Sequence, residues 1–240
     1  DMGAGIQQDY AVWRNPEMKL ISLTTQTVAN GTMKAYPTVI ACYDMPTVKA
    51  QLKLTYTIFE KGELNVKMQM ITDKNAKVSD MLRFGMVMQM PYNMDQIQYF
   101  GRGPIENYSD RKASERIGIY KQTADNQFFP YIRPQENGTK QDVKWWQQTN
   151  ASGTGLEIHG ELGDLSMSAL HYAIADLDDG LEKGQRHSYQ VKKSPFTNLC
   201  IDKEQTGVGG TNSWGEWPLE RYRLHYGDRT YEFSLRPIAK

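Results

Sequence analysis

One stretch of the sequence combines residue types that could meet a ligand: Gly207-Val208-Gly209-Gly210-Thr211-Asn212-Ser213-Trp214-Gly215, which follows the apolar run Leu199-Cys200-Ile201-Asp202. Closely spaced glycines let a backbone take positive φ and approach a ligand or another backbone. Asn212 and Ser213 carry hydrogen-bonding groups, and Trp214 carries a flat apolar face. That set suits a sugar, whose C–H face stacks on indole while its hydroxyls need polar partners. The same residues could instead close the end of a β-sandwich with Trp214 touching no ligand. Composition alone favours that structural role.

Other chemistry-bearing residues are weaker candidates. Glu106-Asn107-Tyr108-Ser109-Asp110-Arg111 follows the Gly101-Arg102-Gly103-Pro104 turn and could bind ligand. It could equally bridge loops, with Arg102 or Arg111 against Asp110 or Glu106, and loop packing is favoured. Glu136, Asn137, Lys140 and Lys144 could line one face of a groove. The acidic stretch 175–182 reads as a short helix; its close aspartates Asp176, Asp178 and Asp179 could suggest calcium, but the EF-hand ligand pattern is absent and a solvated loop is the stronger reading. His159 and His171 sit in strand-like runs and read as structural histidines. Cys42 and Cys200, far apart in apolar runs, read as buried free thiols with no metal-ligand spacing. No metal site is expected.

The elements that must position these residues are strands. From Lys19 to Phe59, apolar and polar residues alternate with period two, as half-buried antiparallel strands do. Glu60-Lys61-Gly62-Glu63 predicts a hairpin turn, and Leu64, Val66, Met68 and Met70 return on the next strand. Met81, Met86, Met88 and Met90 read as flexible filling between two sheets. Gly153–Gly160 and Leu165–Tyr172 predict a further strand pair, and Thr230–Leu235 a closing strand. No βαβ alternation is present, so a (β/α) barrel is not encoded in this chain.

Composition narrows the partners. Lys+Arg and Asp+Glu balance at 28 each, with basic residues scattered, so neither nucleic acid nor an anionic membrane is an expected partner. No stretch reaches the length of a membrane span. The start, Asp1-Met2-Gly3-Ala4-Gly5, shows no signal-peptide pattern. The compartment stays open between a cytoplasm and a periplasm.

Three stretches, taken in order, carry a resemblance: Tyr99-Phe100-Gly101-Arg102-Gly103-Pro104-Ile105-Glu106-Asn107-Tyr108-Ser109-Asp110-Arg111, then Pro130-Tyr131-Ile132-Arg133-Pro134-Gln135-Glu136-Asn137-Gly138, then the glycine-rich stretch from Ile201 to Trp214. Together they resemble the C-terminal small-chain region of bacterial β-galactosidases of glycoside hydrolase family 2. The resemblance covers nearly the whole chain and implies an all-β fold. That fold is a large antiparallel β supersandwich, galactose mutarotase-like, forming a single domain over 1–240 that lacks its first strands. Asp1-Met2-Gly3 would be the tail of an Asp-Asn-Asp-x-Gly loop, and the missing strands would expose a sheet edge.

The resemblance also implies function. The family's catalytic glutamates belong to a separate barrel, so no catalytic residue is assigned in this chain. Trp214, Ser213 and Asn212 would be substrate-binding residues at the rim of the active site, with Trp214 stacking on the aglycone sugar of a β-galactoside such as lactose. Thr211-Asn212 stand where other members can carry acidic residues. No cofactor is expected in this chain, since the family's magnesium and sodium sites are expected in other domains. Expected partners are the substrate's galactoside or glucose moiety, the remaining domains of the enzyme and a second copy in a homo-oligomer. A stand-alone carbohydrate-binding module is the alternative. An aldose 1-epimerase-like enzyme, which would need a histidine and a glutamate across the sugar ring, is a more distant one.

Overall fold

A computed structural model describes residues 5–29, 34–178, 186–212 and 215–239. Among them run thirteen strands: β1 (Lys19–Ala29), β2 (Ala35–Met45), β3 (Ala50–Ile58), β4 (Leu64–Thr72), β5 (Arg83–Pro91), β6 (Gln96–Gly103), β7 (Arg116–Thr123), β8 (Lys140–Val143), β9 (Trp145–Thr149), β10 (Gly155–Gly160), β11 (Leu165–Leu170), β12 (Phe196–Gln205) and β13 (Arg229–Ile238). Four short helices accompany them: α1 (Ile6–Asp9), α2 (Ala11–Arg14), α3 (Ala124–Gln127) and α4 (Ile174–Leu177). The fold is all-β. A nine-stranded antiparallel sheet, ordered β1-β2-β3-β4-β13-β10-β9-β6-β7, packs on a four-stranded one, ordered β5-β12-β11-β8.

Alternation builds the sandwich. On β4, Val66, Met68 and Met70 point inward and are buried, while Lys67 and Gln69 between them are half-buried on the outer face. On β6, Ile97 and Tyr99 face the core. Tyr99 stacks on Trp146 of β9 at 5.2 Å between ring centroids, and both are fully buried. Each such aromatic removes a large apolar area from water, about 2–3 kcal/mol relative to exposure. The Tyr231 hydroxyl on β13 donates to the Ile201 carbonyl on β12 at 2.9 Å, a polar tie across the two sheets. The methionines fill the same interface: Met81 and Met90 are buried, and Met86 and Met88 pack partly against the core.

The 60–63 turn joins β3 to β4 as expected, with Lys61 and Gly62 both at positive φ (61° and 77°). Three expectations need correction. Strands β10 and β11 do not pair: β10 lies between β9 and β13, and β11 between β8 and β12 in the other sheet. Every residue of β11 is buried, because α3 and the following loop cover the outer face of its sheet. The closing strand expected over Thr230–Leu235 is β13, and it sits centrally between β4 and β10. Strand β1 is not half-buried, being exposed on both faces except at Ser22. Finally, Cys200 is a buried free thiol, but Cys42 is only half-buried, on the outer face of β2 beside Lys53.

Strands β7, β8 and β9 fall partly in a stretch that reads in sequence only as aromatic- and amide-rich. In the acidic segment the described residues form the single turn of α4, and Asp179 and the residues to 185 lie outside the described ones. Asp1, Met2 and Gly3 also lie outside the described residues.

Candidate functional site

The three stretches that stand apart in sequence meet around one groove of about 390 Å³. Tyr108, Asp110 and Arg111 come from the loop after β6, Tyr131, Gln135 and Glu136 from the loop after α3, and Val208 to Thr211 from the glycine-rich loop after β12, with Leu219 and Tyr222 completing the wall.

Each loop is held by buried polar residues. Asn107 is fully buried, and its amide donates to the Arg102 and Ile105 carbonyls, each at 3.0 Å, while its oxygen accepts from Gln141 N–H at 3.0 Å. One side chain thereby does the hydrogen bonding of a small turn. Glu106 accepts from Gly138 N–H at 2.8 Å, from Arg111 at 2.8 Å and from the hydroxyls of Tyr108 and Tyr131. Burial pushes the Tyr108 hydroxyl well above the usual tyrosine range and also raises that of Tyr131, so both are protonated donors to Glu106. Asn137 clamps the second loop, exchanging hydrogen bonds with Phe129 N–H (2.8 Å) and the Phe129 carbonyl (2.5 Å).

The glycine-rich loop is fastened by Asp110. Its carboxylate accepts from Val208 N–H at 3.2 Å and from Gly209 N–H at 2.7 Å. Here the glycines serve close approach rather than positive φ. A Cβ on Gly207 would lie 2.7 Å from the Asp110 carboxyl carbon, whereas the positive φ falls further on, at Gly215 (89°). Asp110 therefore does not pair with Arg102 or Arg111. Arg111 pairs with Glu106, and Arg102 with Asp142 at 2.6 Å.

Beneath the groove lies a buried ionic cluster. Arg83, at the start of β5, donates to Glu136 at 2.9 Å and to the Cys200 sulfur at 3.1 Å, and its Nε lies 3.6 Å from Asp202 Oδ2. Burial opposes the Arg83 charge, but Asp202 and Glu136 hold it firmly protonated. Burial pushes the Asp202 carboxyl up to about 6, against the pull of Arg83, and the Cys200 thiol up to about 11. Sequence patterning missed this cluster. Its signal is a lone arginine opening a methionine-rich strand and a lone aspartate inside an apolar one.

Of the residues predicted to bind substrate, Asn212 is exposed and follows Thr211 at the groove. Ser213 and Trp214 lie outside the described residues. Of the predicted groove-liners Glu136, Asn137, Lys140 and Lys144, only Glu136 lines it. Asn137 and Lys140 are buried, because the turn they belong to is folded under Glu106. Burial brings the Lys140 ammonium down to about 8. Lys144 pairs at the surface with Asp164 at 2.6 Å.

None of the four histidines lines this groove. His159 bonds Glu157 on its own strand at 2.6 Å. His171 is buried between Asp125 (2.9 Å) and the Tyr92 carbonyl (3.1 Å). A second groove of about 550 Å³ lies among Thr72, Asp80, His225 and Asp228, where Asp80 is paired with Arg223 and His225. None of the three stretches reaches it. Among the described residues, no group of three or more His, Cys, Asp or Glu side chains is placed to hold a metal ion. The polar groups around the main groove are largely bonded to one another: Tyr108, Tyr131 and Arg111 to Glu106, the Val208 and Gly209 amides to Asp110, and Glu136 to Arg83.

Residues 1–236 match the family described as beta galactosidase small chain. A β-galactosidase from Priestia megaterium is 32% identical over 191 residues, 79% of this chain and 18% of the relative. One from Lactobacillus delbrueckii subsp. bulgaricus is 30% identical over 220 residues, 90% of this chain and 20% of the relative. The chain therefore spans about a fifth of the length of the curated relatives it matches. In fold it is similar to a GH36 α-galactosidase from Geobacillus stearothermophilus, with a TM-score of 0.51 at 7% identity, covering 93% of this chain and 28% of that one. A galactose mutarotase related enzyme from Lactobacillus acidophilus aligns with a TM-score of 0.43 at 10% identity, over 95% of this chain and 73% of that one.

Proposed function

The chain belongs to the β-galactosidase small-chain family, and from that premise we propose that it is the C-terminal domain of a family 2 β-galactosidase, completing the rim of an active site whose catalytic carboxylates lie elsewhere in the enzyme. The observation that carries this reading is the convergence of three distant stretches on one polar groove, with Asp110 clasping the loop that runs on to Asn212, Ser213 and Trp214. A domain that supplies only a rim needs no acid–base pair of its own. Glu106 accepts four hydrogen bonds and Glu136 is held by Arg83, so both are committed to holding structure. In this reading Trp214 meets the aglycone sugar of a β-galactoside such as lactose, flanked by Ser213 and Asn212.

Kinetics of the complete enzyme test it. Trp214→Ala is expected to weaken inhibition by glucose about tenfold, the worth of roughly 1.4 kcal/mol of lost stacking, and to leave inhibition by galactose nearly unchanged. Equal losses for the two sugars would remove Trp214 from the aglycone subsite. A fluorescence titration of the chain alone with galactose, glucose and lactose separates the rim reading from a carbohydrate-binding module. Saturable binding lost in Trp214→Phe would favour the module.

A further inference from the structure

The glycine-rich loop that walls the groove has a second fastening, at the end away from Asp110. A Cβ on Gly210 would lie 2.1 Å from the Glu216 carbonyl oxygen, so the chain closes into a neck between these two residues. Trp217 follows the neck directly. Its ring packs on that of Tyr10, with 5.3 Å between centroids, and the Arg223 guanidinium carbon lies 5.5 Å from its centroid.

Arg223 is itself firmly held. Its Nε donates to Asp80 Oδ2 at 2.8 Å, one terminal nitrogen lies 2.6 Å from the same oxygen, and the other donates to Glu220 Oε2 at 3.1 Å. It also hydrogen-bonds the hydroxyl of the buried Tyr10. A planar guanidinium can fork onto carboxylates with its edge while its face lies on an indole. A lysine ammonium is a point charge and cannot do both.

The same arginine closes the turn that carries the rest of the wall. Leu219 and Tyr222 line the groove, and Glu220 between them is the residue that Arg223 grips. Tyr222 N–H donates to the Leu219 carbonyl at 2.8 Å, and the Tyr222 carbonyl accepts from Gly207 N–H at 2.7 Å. Turn and glycine-rich loop are thus one unit, held by Asp110 at its entrance and by Arg223 at its exit. Tyr10, Asp80, Trp217 and Arg223 all lie outside the groove's lining, so none of them is placed to touch a ligand there.

We propose that Arg223 is a positioning residue for the aglycone side of the site. Anchored on Asp80, it fixes Trp217 and the 219–222 turn, and so sets where the wall formed by Val208 to Thr211, Leu219 and Tyr222 meets the aglycone. The proposal rests on the reading of this domain as an active-site rim. An arginine that only stabilised the fold would change the melting temperature and leave the preference between sugars alone.

The test is made in the complete enzyme with Arg223→Lys, Arg223→Gln, Trp217→Ala and Trp217→Phe, beside Trp214→Ala. Inhibition by glucose and by galactose is measured for each, together with the melting temperature. Arg223→Gln and Trp217→Ala each weaken glucose inhibition about fivefold, less than the tenfold expected of Trp214→Ala, and leave galactose inhibition nearly unchanged. Arg223→Lys fails in the same way despite its charge, whereas Trp217→Phe, which keeps an aromatic face, retains most of the wild-type value. The double variant Arg223→Gln/Trp217→Ala loses no more than either single one, because both break one contact. Additive losses overturn the proposal, as does an Arg223→Gln enzyme that melts earlier with both sugar inhibitions intact. If Trp214→Ala alone shifts glucose inhibition, the rim reading stands and the role of Arg223 falls. If none of the variants shifts it, both fall.

Discussion

At the scale of single residues, two carboxylates do different work beneath and beside the groove. Asp110 replaces water as the acceptor for two backbone amides of the glycine-rich loop. Asp110→Ala leaves those amides to solvent at a cost of about 1 kcal/mol, and Val208 and Gly209 then exchange their amide protons faster by NMR while the sheet cores do not change. Unchanged exchange at both positions would show that Asp110 does not hold the loop. Asp202 is the opposite case, a carboxyl whose burial disfavours its charge and lifts it to about 6, above the ordinary value near 4. The folded protein therefore holds a proton that the unfolded chain releases between about pH 4 and pH 6. That contribution to stability is present in full below pH 4 and is lost as pH rises through 6. Asp202→Asn cannot titrate, so the stability of wild type relative to this variant should fall by up to about 3 kcal/mol across that window in urea unfolding. A flat difference would mean that Asp202 is ionised throughout.

At the scale of elements, close strand contacts decide where glycine is required. Gly85 on β5 stands opposite Asp202 on β12, next to the irregularity between Asp202 and Glu204. A Cβ there would lie 2.5 Å from the Asp202 Cα and 2.6 Å from the Ile201 carbonyl oxygen. These are backbone atoms of a buried strand and cannot swing aside. Gly85→Ala should therefore cost about 3 kcal/mol through overpacking, read as a lower urea midpoint at constant slope. A shift too small to measure would show that β12 yields at that point. The sequence reads Gly85 only as part of a loosely alternating methionine run, since nothing local says that the partner strand bulges toward it. The β3–β4 hairpin, by contrast, is legible in full, because both strands and the turn between them are contiguous and the register follows from the turn.

At the scale of the whole molecule, the two sheets formed by the described residues are unequal, nine strands over four, and the outermost strand of the larger one, β1, is exposed on both faces except at Ser22. The exposure of Leu23 belongs to this scale, because Leu23 is unremarkable in its own strand and is understood only as the end of a row that starts at Tyr231 in the core. The same holds for the groove. Asp110 and Gly209 lie 99 residues apart, and only the packing of the loops after β6 and β12 brings them together.

The sequence by itself determined the all-β class, the 48–72 hairpin, the filling role of the methionines and, through three separated stretches, the family. Each of these is written in local alternation, turn chemistry or contiguous motif. Tertiary structure decided the rest. It placed β10 and β11 in different sheets and β13 at a sheet centre, showed that Gly207 and Gly209 serve close approach to Asp110, and buried Arg83 against Asp202. Those outcomes depend on which distant strands become neighbours, and period-two alternation specifies a face without specifying a partner.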